Sequence, residues 1–210
     1  MVPIERATGY SRGIATTERA AVITKPMKRE GHTLYKVFAQ AARNGLFPNV
    51  SGTIRNVKLE NCYVKNCTAA LVGNILTGTV ENVYIYGTLQ DDGLVAGGNW
   101  TYQGCGLLAG QIKTGAKIKN SVVNVKDVLT AAMEVATAFG KLNVASLTES
   151  VFENCYAVNA SGIAYMKIDG QAGDKHDFTL ASNGNFANMA ALWGNVEAAE
   201  LAEALGLPKV

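Results

Sequence analysis

Apolar and polar residues recur along this chain in one short pattern. In the segment from Leu71 to Ile85, an apolar pair, a glycine, a polar residue and an aliphatic residue lead into a Gly-Thr corner. An aliphatic residue, a polar residue, an asparagine and alternating aliphatic residues follow. Period-2 alternation with β-branched residues and glycine corners is typical of short β-strands. Each copy of the pattern therefore predicts two strands joined by a corner.

Similar copies lie before and after this segment. Their first halves begin near residues 46, 71, 108, 138, 164 and 192, at spacings of 25 to 37 residues. Periods of about 20 to 50 residues are the signature of stacked repeats, in which each unit covers the apolar face of its neighbour. We therefore predict an all-β fold, a parallel β-solenoid (β-helix) of about five to six coils.

The second half of the pattern carries one asparagine in each of four copies. Asparagine tolerates the left-handed backbone of a tight corner, and stacked amides can hydrogen-bond from one coil to the next. We therefore predict a structural ladder formed by Asn56, Asn82, Asn120 and Asn154. Tyr84 and Tyr86 alternate with apolar neighbours and are expected to face outward.

The repeats also resemble a known family. The segments ALVGNILTGTVENVYIYGT, GLLAGQIKTGAKIKNSVVNV and FENCYAV are similar to the GLUG-type repeats of bacterial surface and adhesin-like proteins. The resemblance covers roughly residues 46 to 168. It implies a β-solenoid with a surface or adhesive role, and it brings no catalytic residues.

The two ends of the chain depart from the repeat. We predict an extended basic N-terminal arm, a capping helix, the β-solenoid and a C-terminal capping helix, over residues 1–31, 32–45, 46–194 and 195–210. Thr33 precedes an apolar helical face and can cap the first helix. Asn195 can cap the second helix, which follows the last copy of the pattern, LWGNV, and Gly206 can stop it.

Charge is distributed unevenly along the chain. The formal net charge is +2, and residues 1–44 hold eight Lys or Arg against three Glu, which gives +5 there and −3 elsewhere. A basic arm that orders on a neighbouring subunit is a common anchor. We assign assembly contacts to its basic residues, Arg6, Arg12, Arg19, Lys25, Lys28 and Arg29. These residues are scattered without interleaved aromatic residues, so we expect no nucleic acid partner.

A polar, glycine-rich insertion separates two of the copies. Aromatic residues on a loop that projects from a rigid scaffold are suited to contact carbohydrate or protein. A ligand-contact loop with Asp91, Asp92, Trp100 and Tyr102 is therefore one interpretation. The other is that Trp100 folds back over the wall of the solenoid.

Other chemistry-bearing residues give weaker signals. The four cysteines, Cys62, Cys67, Cys105 and Cys155, lack C-x-x-C spacing, so we predict buried thiols and no metal or cofactor. Four polar residues near one turn could bind a metal or act in acid/base chemistry, but such neighbours are more often solvated. They are Asp169, Asp174, His176 and Asp177.

Three classes of function compete. We expect a non-enzymatic structural or adhesion module on a virion, a phage particle or a bacterial cell surface, with other subunits as partners, a homo-oligomer and contacts to glycans. The alternative is a polysaccharide-binding or polysaccharide-cleaving β-helix protein, although no acidic pair recurs on adjacent coils. Nucleic-acid binding is the third class. No apolar run is long enough to predict a transmembrane segment, and the absence of a hydrophobic signal core favours a particle made in the cytosol.

Overall fold

The computed structural model of the chain is mostly β. It describes residues 22–29, 32–39, 45–65, 69–90, 105–129, 136–143, 151–158, 165–169, 172–176, 178 and 182–209. The strands in this part of the chain are β1 (Val22–Arg29), β2 (His32–Ala39), β3 (Phe47–Val50), β4 (Thr53–Lys65), β5 (Val72–Leu76), β6 (Thr79–Gln90), β7 (Cys105–Gly106), β8 (Ala109–Lys113), β9 (Lys117–Leu129), β10 (Ala136–Thr137), β11 (Gly140–Asn143), β12 (Phe152–Val158), β13 (Tyr165–Asp169), β14 (Ala172–His176) and β15 (Gly184–Phe186). The helices are α1 (Met189–Trp193) and α2 (Val196–Ala204).

Two parallel sheets face each other. The seven-stranded sheet has the order β1-β2-β4-β6-β9-β12-β15, and the six-stranded sheet has the order β14-β13-β11-β8-β5-β3. Along the chain, β3, β5, β8 and β11 of the six-stranded sheet each lead into a strand of the seven-stranded sheet. A short parallel pair, β7 with β10, forms a third sheet. The prediction of an all-β parallel fold is thus confirmed at the level of the sheets.

The core is built from equivalent positions of successive repeats. Three rows of apolar residues run across the sheets in register, and every member is 5% exposed or less. Two rows belong to the seven-stranded sheet and one to the six-stranded sheet: Ile54–Val80–Ile118–Phe152, Leu59–Ile85–Val123–Ala157 and Val50–Leu76–Ile112–Leu142. Because strands in a sheet lie about 4.8 Å apart, each side chain contacts its counterpart in the next repeat.

Three phenylalanine rings close the core near its C-terminal end. The centroids of Phe139, Phe152 and Phe178 lie 5.0–5.5 Å apart in edge-to-face arrangements. Asn185 holds Phe178 in place, because its side chain accepts from the backbone N–H and donates to the backbone C=O of Phe178, both at 3.2 Å.

The sheet edges are handled in two ways. At one edge of each sheet an antiparallel partner is added, β1 on β2 and β14 on β13. The edge strand β3 contains Pro48, whose neighbour Phe47 donates its N–H to Leu71 at 2.8 Å on the paired side. Pro48 therefore has its missing N–H on the outer side, where a proline weakens pairing with another chain.

Three predictions about the ends of the chain are corrected. The capping helix over residues 32–45 is wrong, because His32–Ala39 forms β2, which pairs parallel with β4. The extended arm over residues 1–31 is wrong for Val22–Arg29, which forms β1. The segment HTLYKVFA is rich in β-branched and aromatic residues, and the free edge of β4 offers a full ladder of hydrogen bonds, which a short helix with marginal stability cannot match. Residues 1–21 lie outside the described part.

The third correction concerns the last copy of the repeat. LWGNV does not begin another coil, because Leu192 and Trp193 end α1 and Asn195 caps α2. Asn188 accepts from the N–H of Ala191 and starts α1 in an alanine-rich stretch that favours helix. α2 occupies the predicted C-terminal segment, with Gly206 at φ 63° just beyond its end. Neither helix is long and apolar enough to cross a membrane, and none other occurs in the described residues.

Two glycines allow a test of how closely the strands are packed. A methyl group at Gly140, where φ is 115°, would lie 1.8 Å from the carbonyl oxygen of Ala109, whereas one at Gly115, where φ is 94°, would lie 3.5 Å from its nearest neighbour. We expect Gly115→Ala to cost about 1–3 kcal/mol from backbone strain alone. Gly140→Ala should cost at least about 1 kcal/mol more, because the backbone carbonyl of Ala109 must also move to make room for the methyl group.

Urea unfolding followed by circular dichroism measures both costs. Equal losses at the two positions would contradict the close contact of β11 with β8.

Candidate functional site

The four predicted asparagines lie at the bends of successive strands. Their φ angles are 56°, 53°, 47° and 53° for Asn56, Asn82, Asn120 and Asn154. The side chains pair along the stack: Asn82 Nδ2 donates to Asn56 Oδ1 at 3.1 Å, and Asn154 Nδ2 donates to Asn120 Oδ1 at 3.0 Å. Each bend lets the residues on both sides face the core, as with Val80 and Val83, which are fully buried. These asparagine side chains therefore have a structural role, because they link the bends of neighbouring strands.

A second amide contact, which was not predicted from the repeat, lies on the six-stranded sheet. Asn49 Oδ1 accepts from Asn74 Nδ2 at 3.1 Å and from the N–H of Ile75 at 3.2 Å. The signal was present in the first half of the pattern, where LFPNV and LVGNI carry an asparagine at the same position.

The residue after an asparagine can reinforce the bend. Ser121 Oγ donates to the carbonyl of Lys119 at 2.7 Å, and Cys155 Sγ donates to the carbonyls of Ile118 at 3.2 Å and Glu153 at 3.4 Å. Ser121 and Cys155 are register partners and are fully buried. Burial raises the pKa of the Cys155 thiol to about 12, so it stays protonated at neutral pH.

The prediction of buried thiols is confirmed for two cysteines. Cys62 and Cys155 are both buried. Cys67 lies outside the described residues, and only the backbone of Cys105 is described.

Most of the predicted contact residues fall where side chains are not described. Arg6, Arg12 and Arg19 lie outside the described residues, as do all four residues of the ligand-contact loop, Asp91, Asp92, Trp100 and Tyr102. Lys25, Lys28 and Arg29 belong to β1, where Lys28 and Arg29 are the register partners of Thr33 and His32.

The polar residues near Gly173 lie largely on a hairpin. Asp169 ends β13, Asp174 and His176 belong to β14, and Asp177 lies outside the described residues. Asp174 is the register partner of Lys167, and His176 is that of Tyr165. Among the side chains that the structure describes, no group of three metal-ligating residues occurs.

The outer face of the seven-stranded sheet is covered by the C-terminal helices. One row crosses this face in register: Lys58, Tyr84, Val122, Tyr156 and Gly184. Tyr84, Val122 and Tyr156 form an apolar cluster with Leu201, Leu205 and other buried residues of the C-terminal segment. Tyr84 does lie on the outer face, as predicted, but it is only 5% exposed because the helical segment covers it.

α2 runs across the strands of this sheet. Near its start, the negative charges of Glu197 and Glu200 act with burial, the larger effect, to raise the pKa of Tyr156 on β12. Just beyond its end, the Gly206 carbonyl accepts from Lys58 Nζ on β4 at 2.8 Å. Ten residues of helix rise about 15 Å. Three strand spacings, from β12 to β4, also amount to about 14–15 Å.

Lys58 joins the sheet to the helix terminus. It is 7% exposed, and its ammonium lies 5.9 Å from the centre of the Tyr84 ring. A cation at this position also interacts favourably with the negative end of the helix dipole. The repeat pattern had no means of predicting this contact, because Lys58 and Gly206 are 148 residues apart.

A groove lies on the solvent side of the helices. It has a volume of about 490 Å³, and we call it the α2 groove, lined by Trp193, Gly194, Val196, Ala199, Glu200, Glu203 and Lys209. The Trp193 indole N–H donates to the Pro208 carbonyl at 2.9 Å, and Lys209 Nζ lies 5.3 Å from the ring centre. Val196 is 75% exposed. The groove therefore combines an aromatic ring and aliphatic surface with two carboxylates, a mixture suited to binding a cationic or amphipathic partner.

Lys141 is a second buried lysine. It is 1% exposed, and burial lowers the pKa of its ammonium. Its register partners are Gln111 and Met166. The repeat pattern does not predict this burial, because lysine is rarely buried and the repeat has a polar residue at this position.

Comparisons with known proteins add no family assignment. No family model matches this chain, and no curated protein and no solved structure matches it either. The resemblance to GLUG-type repeats therefore stays a prediction.

The contact of Lys58 with the helix terminus can be tested by substitution. We expect Lys58→Met to lower the free energy of unfolding by about 1–3 kcal/mol, because the partly buried Gly206 carbonyl loses a charged donor. Amide hydrogen exchange in α2 should accelerate more than exchange in β9. Lys119→Met is the control, because Lys119 pairs with Glu153 in an exposed salt bridge that contributes little. Unchanged exchange in α2 for the Lys58 variant would show that the contact does not hold the helix.

The buried thiol and phenol predict sensitivity to alkali. Burial raises the pKa of Cys155 from 9.0 and that of Tyr84 from 10.0, each to about 12. Above pH 9 the unfolded chain therefore loses protons that the folded chain keeps, and stability falls as pH rises towards 12. The slope reaches about 1.4 kcal/mol per pH unit for each group.

Urea unfolding at pH 8 and pH 10.5 measures this loss. Cys155→Ser should reduce it, because Ser121 shows that a hydroxyl is accepted at the neighbouring register position. Tyr84→Phe should reduce the part of the loss that begins above pH 10. If both variants lose as much stability as the native chain, the two groups are not the cause.

Proposed function

We propose that this chain is a non-enzymatic structural or adhesion module displayed on a large assembly, a virion, a phage particle or a bacterial cell surface. In this proposal the two parallel sheets are the walls of a β-solenoid of about five to six coils. α1, which contacts β15, and α2 shield its C-terminal part. The module joins other protein subunits through its basic leading segment.

One observation carries the proposal: equivalent side chains are in register across four successive repeats. The rows of buried aliphatic residues and the paired asparagines give a scaffold in which each repeat is held by its neighbours. Such a scaffold suits a projecting module, because its length is set by the number of repeats and loops can vary without disturbing the core.

Charge supports attachment through the leading end. Lys25, Lys28, Arg29 and Lys36 lie on β1 and β2, which contain no Asp or Glu, so these strands carry +4. Arg6, Arg12 and Arg19 precede them in the sequence. A basic edge with a basic segment before it is suited to bind an acidic neighbouring subunit.

Because Val22–Arg29 forms β1, a truncation that tests the anchor should end at residue 21. Removing residues 1–21 leaves β1 intact, so the shortened chain should keep its circular dichroism spectrum and its urea midpoint. We expect the full chain to copurify with a large particle and the shortened chain to be lost from it, as judged by sucrose-gradient sedimentation. Arg6→Gln/Arg12→Gln/Arg19→Gln is the matched variant of full length, and it should weaken incorporation in the same direction.

Two outcomes would count against the proposal. If the chain without residues 1–21 is incorporated at the normal level, the leading segment is not the anchor. New reducing ends released from acidic polysaccharides, and lost when Asp174 and His176 are replaced by alanine, would favour the polysaccharide-cleaving alternative.

A further inference from the structure

The outer side of α2 carries negative charge that no ion pair among the described residues neutralises. Glu197, Glu200 and Glu203 follow one another at intervals of three residues and are all exposed, and α2 contains no Lys or Arg, so the helix carries −3. Glu200 and Glu203 line the α2 groove, and neither forms an ion pair with another described residue. A basic partner would supply the missing countercharge.

The groove already holds one cation. Lys209 lies over the Trp193 ring with its ammonium 5.3 Å from the ring centre, and Lys209 is itself exposed. The face of a tryptophan ring attracts lysine and arginine side chains, and the exposed Val196 and the neighbouring Ala199 provide apolar surface for their stems. The groove is thus suited to a segment with several Lys or Arg and some apolar residues.

The strands β1 and β2 have this composition. Their +4 charge complements the −3 of α2, and their sequences, VITKPMKR and HTLYKVFA, alternate cationic with apolar and aromatic residues. β1 is also the outermost strand of the seven-stranded sheet, so its second edge has no strand partner among the described residues.

The β1–β2 pair and the α2 groove lie in different layers of the molecule. β1 and β2 extend one edge of the seven-stranded sheet, where β2 pairs with β4, whereas the groove lies on the solvent side of the helices that cover the outer face of that sheet. A β1–β2 edge that enters the groove from the solvent side therefore comes from another molecule.

We propose that the α2 groove binds the β1–β2 edge of a second copy of this chain. The contact is head-to-tail: each copy offers its groove to one neighbour and its basic edge to the other. A contact between two different surfaces generates an open row or a ring of copies. This inference rests on the proposed role in a large assembly and names the surfaces that join equal subunits within it.

Charge reversal tests the contact from both sides. The full chain should associate at low salt as protein concentration rises, measured by sedimentation velocity, and added salt should weaken association because the contact is ionic. Glu200→Lys/Glu203→Lys should weaken association at least tenfold, and so should Lys25→Glu/Lys28→Glu. An equimolar mixture of the two variants should associate again into pairs, because the native groove of the Lys25/Lys28 variant can bind the native edge of the Glu200/Glu203 variant. Asp127→Lys is the control on an exposed strand position outside the groove, and it should associate like the native chain.

Trp193 reports directly on the groove. In a Trp100→Phe background, its fluorescence should change with association in the native chain and in the mixture, but not in either charge variant alone. Circular dichroism establishes that each variant is folded. Should the Lys25/Lys28 variant fail to fold, the Glu200/Glu203 variant and the salt dependence still decide the question.

Three results would overturn the inference. The first is a folded native chain that stays monomeric at every concentration. The proposed function would still be decided separately, by the test in which residues 1–21 are deleted. The second is association that survives reversal of Glu200 and Glu203. The third is association lost on deleting residues 1–21 but kept with Lys25 and Lys28 reversed, since the occupant would then be the leading segment.

Discussion

Each of four successive strands in the larger sheet turns at an asparagine with a left-handed backbone. For most residues this conformation costs about 1–2 kcal/mol, whereas asparagine adopts it with little strain and can bond through its amide. Because Asn56 and Asn82, and Asn120 and Asn154, pair through their side chains, the bends stay at the same height in neighbouring repeats. That alignment brings the aliphatic rows into register and leaves Ser121 and Cys155 buried at equivalent positions.

A stack of parallel strands has two weak points, its edges and its outer faces. The edges receive antiparallel partners or, at β3, a proline. The outer face of the larger sheet is apolar at Tyr84 and Val122, and α2 covers it by running across the strands. Lys58 helps to hold α2 on the sheet, because its ammonium donates a hydrogen bond to the Gly206 carbonyl just beyond the end of the helix. The helix thus stabilises four strands at once, although it belongs to none of the repeats.

The same arrangement separates charge along the molecule. Basic residues collect on β1 and β2 at one edge, and acidic residues collect on α2, whose inner side is occupied by Ala198, Leu201 and Ala202. Since the inner side is committed to packing, the glutamates must face solvent. The molecule therefore has a basic edge at β1 and β2 and an acidic surface on α2.

The sequence by itself determined the strand content, the parallel repeat, the asparagine bends and the C-terminal helix, because these depend on local alternation, on backbone preference and on capping residues. Only the tertiary structure decided the rest. The segment from His32 to Ala39 has a helical spacing and a strand-like composition, and the free edge of β4 selected the strand. Lys58 became a buried contact because distant parts of the chain meet there. Glu200 and Glu203 came to line a groove because the C-terminal segment folds into two helices whose apolar side is buried on the sheet. A local sequence pattern contains no information on such long-range contacts, because they depend on how the whole structure packs.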